Sequence, residues 1–100
     1  MAAFAGSKIY VFGGFDSNSH LDTAEAYDLS TGTWSAIRPM GTPRNNPAAA
    51  FAGSKIYVFG GYDGSNSLDS AEAYDLSTGT WSAIAPMGTA RGYLAAVATP

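Results

Sequence analysis

Ile9-Tyr10-Val11-Phe12-Gly13-Gly14 returns as Ile56-Tyr57-Val58-Phe59-Gly60-Gly61, and that recurrence decides how the chain folds. Four apolar, strand-favouring residues closed by two glycines read as a short strand, buried on both faces and stopped by a bend. The recurrence extends in both directions without a gap. Residues 4–50 and 51–97 are identical at 35 of 47 positions, with Trp34 falling on Trp81 and Pro39-Met40-Gly41 on Pro86-Met87-Gly88. A fixed period of about 40 to 50 residues marks a chain built from stacked, like units.

One unit reads as four strands. Ile9 to Phe12 is followed by Ala24 to Leu29, where Glu25, Tyr27 and Leu29 share one face and Ala24, Ala26 and Asp28 the other. Ser30-Thr31-Gly32-Thr33 is a tight turn whose glycine supplies positive φ. Thr33 to Ile37 carries Trp34 and stops before Pro39, and Ala48 to Ala52 is a strand of small residues suited to the narrow end of a wedge. No segment keeps a helical period. The fold class is therefore all-β, with two four-stranded antiparallel blades forming a single unit over residues 1–100. The paired glycines do not form a phosphate cradle, which should open a helix; Phe15-Asp16-Ser17-Asn18 and another strand follow them.

Composition removes several function classes. An apolar fraction of 46% with 13% charged residues is that of a packed domain, not a disordered one. Five basic residues and a net charge of −3 leave no basic patch, so nucleic acid is not an expected partner. The absence of cysteine removes disulfides, thiolate metal sites and cysteine nucleophiles. Met1 to Phe12 is largely apolar but lacks a positively charged start, is interrupted by Lys8, and recurs in mid-chain, so it reads as fold rather than leader. No run approaches the roughly 18 apolar residues of a membrane span. Neither membrane association nor a signal peptide is expected, and a natural source implies the cytoplasm.

Gly13-Gly14, Tyr27 and Trp34, repeated as Gly60-Gly61, Tyr74 and Trp81, resemble the kelch repeat, and Arg44 and Arg91 fall where that family carries an arginine. The resemblance implies a β-propeller, commonly of six blades. From the axis outward the strands would be Ala48 to Ala52, Ile9 to Phe12, Ala24 to Leu29 and Thr33 to Ile37. It also implies binding, often of peptides from other proteins, as the commonest activity. Two repeats do not close such a ring, so oligomerisation is expected to complete it: a homotrimer of six blades first, a tetramer next. The likeness of the two copies fits an engineered or consensus-like fragment, or a recent duplication. Ala95 to Pro100 repeats the inner strand once more. Gly92 to Thr99 is expected to complete a blade beginning at Ile9, displacing Met1 to Gly6 or sharing its place.

Eleven of the twelve differences between the copies fall in the second-to-third and outer-to-inner loops, which lie on one face of an up-down-up-down blade. Two accounts fit: longer loops tolerate change where short turns do not, or this face is a binding surface, as the resemblance suggests. Candidate ligand residues there are Arg44, Arg91, Asn45, Asn46, Tyr93, His20 and Arg38. The two repeated arginines are read first as links between blades, bonded to carbonyls or carboxylates, and second as forks for acidic groups of a peptide. Asp16, Asn18, His20 and Asp22 alternate as in a calcium loop, but their counterparts Asp63, Ser65, Ser67 and Asp69 are poorer ligands, and turn formation accounts for both sets. His20, the only histidine, has no partner for a metal site. No nucleophile and base can be paired. The expected function is thus a non-catalytic, self-assembling propeller scaffold without cofactor or metal. The alternative is a binding module for an acidic peptide or small ligand.

Overall fold

The computed structural model describes residues 2–5, 8–16 and 18–91, and every regular element among them is a strand. These are β1 (Ala2–Ala5), β2 (Lys8–Phe12), β3 (Ala24–Asp28), β4 (Thr33–Ile37), β5 (Ala48–Ala52), β6 (Lys55–Phe59), β7 (Ala71–Asp75) and β8 (Thr80–Ile84). They form two sheets, ordered β1-β2-β3-β4 and β5-β6-β7-β8, with antiparallel neighbours throughout. The two four-stranded blades expected from the repeat are present. Their bounds shift slightly: the second strand starts at Lys8, and the third stops at Asp28 rather than Leu29.

Asp28 ends its strand because its carboxylate organises the next turn. Its Oδ1 accepts from the Ser30 amide at 2.9 Å and the Ser30 hydroxyl at 2.6 Å, while the Asp28 carbonyl accepts from the Gly32 amide. Gly32 takes φ +70°, as the tight turn requires. Asp75, Ser77 and Gly79 repeat the arrangement in the second blade. The hydroxyl and amide of Ser30 hold the Asp28 carboxyl below its ordinary pKa, and Ser77 does the same for Asp75.

Register assigns the faces. Tyr10 lies opposite Ala26, and Phe12 opposite Ala24; Ile9 lies opposite Tyr27, which lies opposite Trp34. One face of the first blade therefore carries Tyr10, Phe12, Ala24, Ala26 and Ile37, and the other Ile9, Val11, Glu25, Tyr27 and Trp34. In the second blade Ile56, Val58, Glu72, Tyr74 and Trp81 share a face, with Tyr57 and Phe59 on the reverse. The core joins unlike faces. Tyr10, Phe12, Ala24 and Ala26 pack with Met40 against Ile56, Val58 and Tyr74, and Ile37, Ala49, Leu76 and Trp81 line the margin. Phe12 meets Trp81 edge-on with ring centroids 5.6 Å apart, and Tyr10 meets Tyr74 at 6.2 Å. Phe12, Ile56 and Val58 are fully buried, each worth about 1.5–3 kcal/mol against exposure.

Inside the chain each apolar run is covered on one side only, as two blades without further neighbours require. Tyr10 and Phe12 are buried in β2, whereas Ile9 and Val11 are only half-buried; in β6 the alternation reverses, with Ile56 and Val58 buried and Tyr57 and Phe59 half-buried. Each blade thus covers one face inside the chain and leaves the other open. The tryptophans record the same asymmetry. Trp81 lies at the junction and is partly buried, while Trp34 is 55% exposed. The inner place of the first blade is filled by β1, which pairs with β2 from Ala2↔Val11 to Ala5↔Lys8. The expected competitor for that place, residues 92–99, lies outside the described residues.

The paired glycines mark a close approach of two backbones. Gly13 has φ +63°, and a Cβ there would lie 2.2 Å from the Arg44 carbonyl oxygen. Gly13→Ala is expected to lose about 2 kcal/mol or more in denaturant unfolding. Gly53→Ala, at φ +64° but with open space around it, should lose only about 1 kcal/mol. The depressed carboxyls of Asp28 and Asp75 give a pH dependence of known sign. Their contribution is present above the unfolded carboxyl pKa of about 3.9 and is lost as pH falls through the lower folded value. Acid titration of stability should show this loss, and Asp28→Asn with Asp75→Asn should flatten it.

Candidate functional site

The most elaborate polar arrangement among the described residues lies where the two blades meet. After β4 the chain runs from Pro39 to Pro47 before entering β5. Along this strap the Met40 amide donates to the Asp22 carbonyl, the Arg44 amide to the Leu21 carbonyl, and the Gly14 amide to the Arg44 carbonyl, at 2.7 to 2.9 Å. These bonds tie the strap to the first blade. The Arg44 side chain then crosses to the second blade, where it is completely buried.

All five N–H bonds of the Arg44 guanidinium have acceptors. Nε and Nη2 donate to Oε2 of Glu72 at 3.2 and 3.1 Å, Nη1 donates to the carbonyls of Gly60 and Ser70 at 2.8 and 3.0 Å, and Nη2 also donates to the Ser70 hydroxyl at 3.1 Å. Glu72 is itself buried, and its Oε1 accepts from the Gly41 amide at 2.7 Å. A buried ion pair is stable only when its remaining donors and acceptors are met, and no buried side-chain polar atom among the described residues lacks a partner. The pair forms the floor of a groove of about 340 Å³ between Pro39, Gly41, Trp81 and Ala83. Above it the Trp81 indole Nε1–H donates to the Arg38 carbonyl at 2.6 Å. The groove offers no free guanidinium to a ligand.

The remaining candidate residues lie apart from this pair. Asn45 exchanges two backbone hydrogen bonds of 2.9 Å with Tyr62, pinning the strap to the second blade's loop. Asn46 stands beside it at φ +54°, its amide 3.4 Å from the Asn45 side-chain oxygen. His20 reaches across the blades: its ring centroid lies 4.8 Å from that of Phe15 and 5.5 Å from that of Tyr62. A Cβ at residue 64 would lie 3.1 Å from His20 Nδ1, so glycine there, where the first repeat has serine, makes room for the imidazole. His20, Asn45 and Tyr62 are thus brought together on one side of the junction. The Arg38 side chain is on the exposed outer margin, Arg91 lies at the far end of the second blade, and Tyr93 is outside the described residues. Oδ1 of Asp16 accepts from the amides of Asn18 and Ser19, and Asp63 from those of Ser65 and Asn66. The two amides lower each carboxyl's pKa. Among the described residues no group of three or more His, Asp or Glu gathers as for a metal ion.

Glu72 is the residue that sequence reasoning missed. Its signal was the placement of Glu25 and Glu72 at the same register in strands otherwise made of Ala, Tyr and a terminal Asp. A carboxylate retained between alanines, on the face that also carries Tyr and Trp, calls for a buried cation. The repeat supplies one at the same spacing, in Arg44.

Two antiparallel four-stranded meanders stacked through unlike faces, joined by a strap that begins on one and pins the next, are blades of the propeller kind. The family model described as the KLHDC2/KLHL20/DRC7 Kelch-repeats domain matches residues 1–99, and the chain belongs to the kelch-repeat family. A search of the curated proteins gives no significant match. Kelch-repeat domains act in general as binding or scaffold modules rather than as catalysts. No helix among the described residues is long and apolar enough to cross a membrane.

Because Arg44 and Glu72 are both removed from water, deleting either partner strands a charge. Arg44→Ala and Glu72→Ala are each expected to cost about 3–5 kcal/mol of stability. The double variant should cost clearly less than the sum, since no unpaired charge remains. Denaturant unfolding monitored by tryptophan fluorescence reads all three.

Proposed function

We infer that the chain is a non-catalytic scaffold unit, a two-blade segment of a propeller ring that several copies of the chain complete between them. The observation that carries this reading is the pair of open sheet faces. Ile9, Val11, Tyr27 and Trp34 remain half-buried or exposed on the first blade, and Tyr57 and Phe59 half-buried on the second. Both are the faces that a neighbouring blade covers elsewhere in the chain. Stacked repeats bury a continuous core only when each has neighbours on both sides, and an apolar patch larger than a few hundred Å² is uncommon on a free monomer. A ring has no terminal face. The contact is head-to-tail, so the ring closes at a whole number of chains and an even number of blades. The alanine-rich inner strands favour a narrow channel, hence six blades from three chains, with eight from four as the next size.

Size exclusion with light scattering at micromolar concentration tests this. The expected mass is three times the 10.3 kDa of the chain. A folded species at the mass of one chain would overturn the reading, because it would show two blades to be stable with both outer faces in water.

A further inference from the structure

The junction inside the chain has a counterpart in which every donor and acceptor type is present and no partner is supplied. Moving the Arg44–Glu72 contact along by one repeat gives Arg91 at the end of the second blade and Glu25 on the first. Both side chains are exposed, and among the described residues neither has a hydrogen bond or ion pair. The other acceptors of Arg44 have equivalents too. Gly60 corresponds to Gly13, which offers the same carbonyl, and Ser70 corresponds to Thr23, which keeps both the carbonyl and the hydroxyl. Gly41, whose amide donates to Glu72, corresponds to Gly88.

The apolar surfaces are already shaped for the same contact. Tyr10 and Phe12, which are buried at the internal junction, stack with centroids 6.4 Å apart and planes at 9°; Tyr57 and Phe59, on the open face of the second blade, stack at 6.4 Å and 13°. Their internal partners Tyr74 and Trp81 lie 5.1 Å apart at 50°, and Tyr27 and Trp34, on the open face of the first blade, 4.9 Å apart at 50°. Two surfaces that already hold the geometry of a formed junction need little rearrangement to make another.

We propose that the open face of the first blade is the docking site for the open face of the second blade of another copy of this chain, locked by Arg91 of one copy on Glu25 of the next. This rests on the ring reading and names its joint. Phe59 of the first copy meets Trp34 of the second edge-on, Tyr57 meets Tyr27, and the Trp34 indole N–H donates to the Ala85 carbonyl as Trp81 does to that of Arg38. Arg91 reaches Glu25, Thr23 and the Gly13 carbonyl. An acidic peptide is the competing occupant of Arg91, but a peptide carboxylate would leave Glu25, Trp34 and Tyr57 uncovered. A second copy satisfies all of them.

The test measures the concentration of half-dissociation by sedimentation velocity across a dilution series, for wild type, Arg91→Ala, Glu25→Ala, the double variant and Arg91→Lys. Each single alanine variant is expected to raise that concentration by about a hundredfold to a few thousandfold, as stranding one partner of a buried pair does. The double variant should raise it by far less than the product of the two, and Arg91→Lys should recover part of the loss. Arg38→Ala, removing an exposed cation elsewhere, should change nothing. Near-ultraviolet circular dichroism should stay native in every variant, because the internal junction is untouched. Single variants that assemble at the wild-type concentration, or a double variant equal to the product of the singles, would overturn the proposed lock while leaving the ring intact. A wild-type protein that is one chain at every concentration would instead remove the ring itself.

Discussion

Arg44 carries a permanent charge into a place no water reaches, and the rest of the structure is arranged so that it can stay there. Its guanidinium has five donors in a fixed plane. Meeting all five requires one carboxylate, two backbone carbonyls and a hydroxyl at once, drawn from β7 and from the loops that flank β6 and β7. The strap that presents Arg44 is held to the first blade by bonds at Leu21, Asp22 and Gly14. Gly13 is glycine because the Arg44 carbonyl comes too close for a Cβ. This side chain ties the strap of the first blade to the second, alongside the Asn45–Tyr62 backbone pair and the apolar contacts of Phe12, Ile56 and Val58.

A repeated sequence allows a comparison that most proteins do not. Residues identical in type and in local conformation stand in two environments within one chain, and their exposure differs. Trp34 and Trp81 occupy the same register opposite Tyr27 and Tyr74, yet one projects into solvent and the other meets Phe12 edge-on. The strand, its register and the tilt of its aromatic pair are thus properties of the single blade. Burial is a property of what stands next to it. For the same reason the groove over Arg44 and Glu72 depends on both blades, since Arg44 comes from the strap after the first and Glu72 and Trp81 from the second.

Much of this was legible in the residues. The strands, their antiparallel order, the turn glycines and the unit length follow from the paired apolar runs and their punctuation, all of which act locally. Which face of Ile9-Tyr10-Val11-Phe12 is covered was not legible. Both faces are apolar, and the choice depends on neighbours that alternate along the stack. The partner of Arg44 was only half visible, since Glu72 lies 28 residues away and its meaning depends on the register of β7 against β6. The contact of His20 with Tyr62 was hidden for a different reason: it depends on how a loop of the second blade, with glycine at residue 64 close to the imidazole, sits against the first. The third strand was read one residue too long because Asp28 and Leu29 look alike to an alternation rule, while the carboxylate of Asp28 is already committed to the turn.

The strand order within each sheet has a consequence in time. Because β1 to β4 pair only with their neighbours in sequence, the first blade can complete its hydrogen-bond ladders as soon as Ile37 has left the ribosome. Its Tyr10 and Phe12 face has no cover until residues up to Trp81 have followed. At about 5–20 residues per second, that face spends several seconds in water as an aromatic surface on a finished sheet. Nascent chains held close together on one message would meet one another through it. The span between completing a blade and covering it, set by the 47-residue period, is therefore the interval in which this fold is most exposed to mispairing.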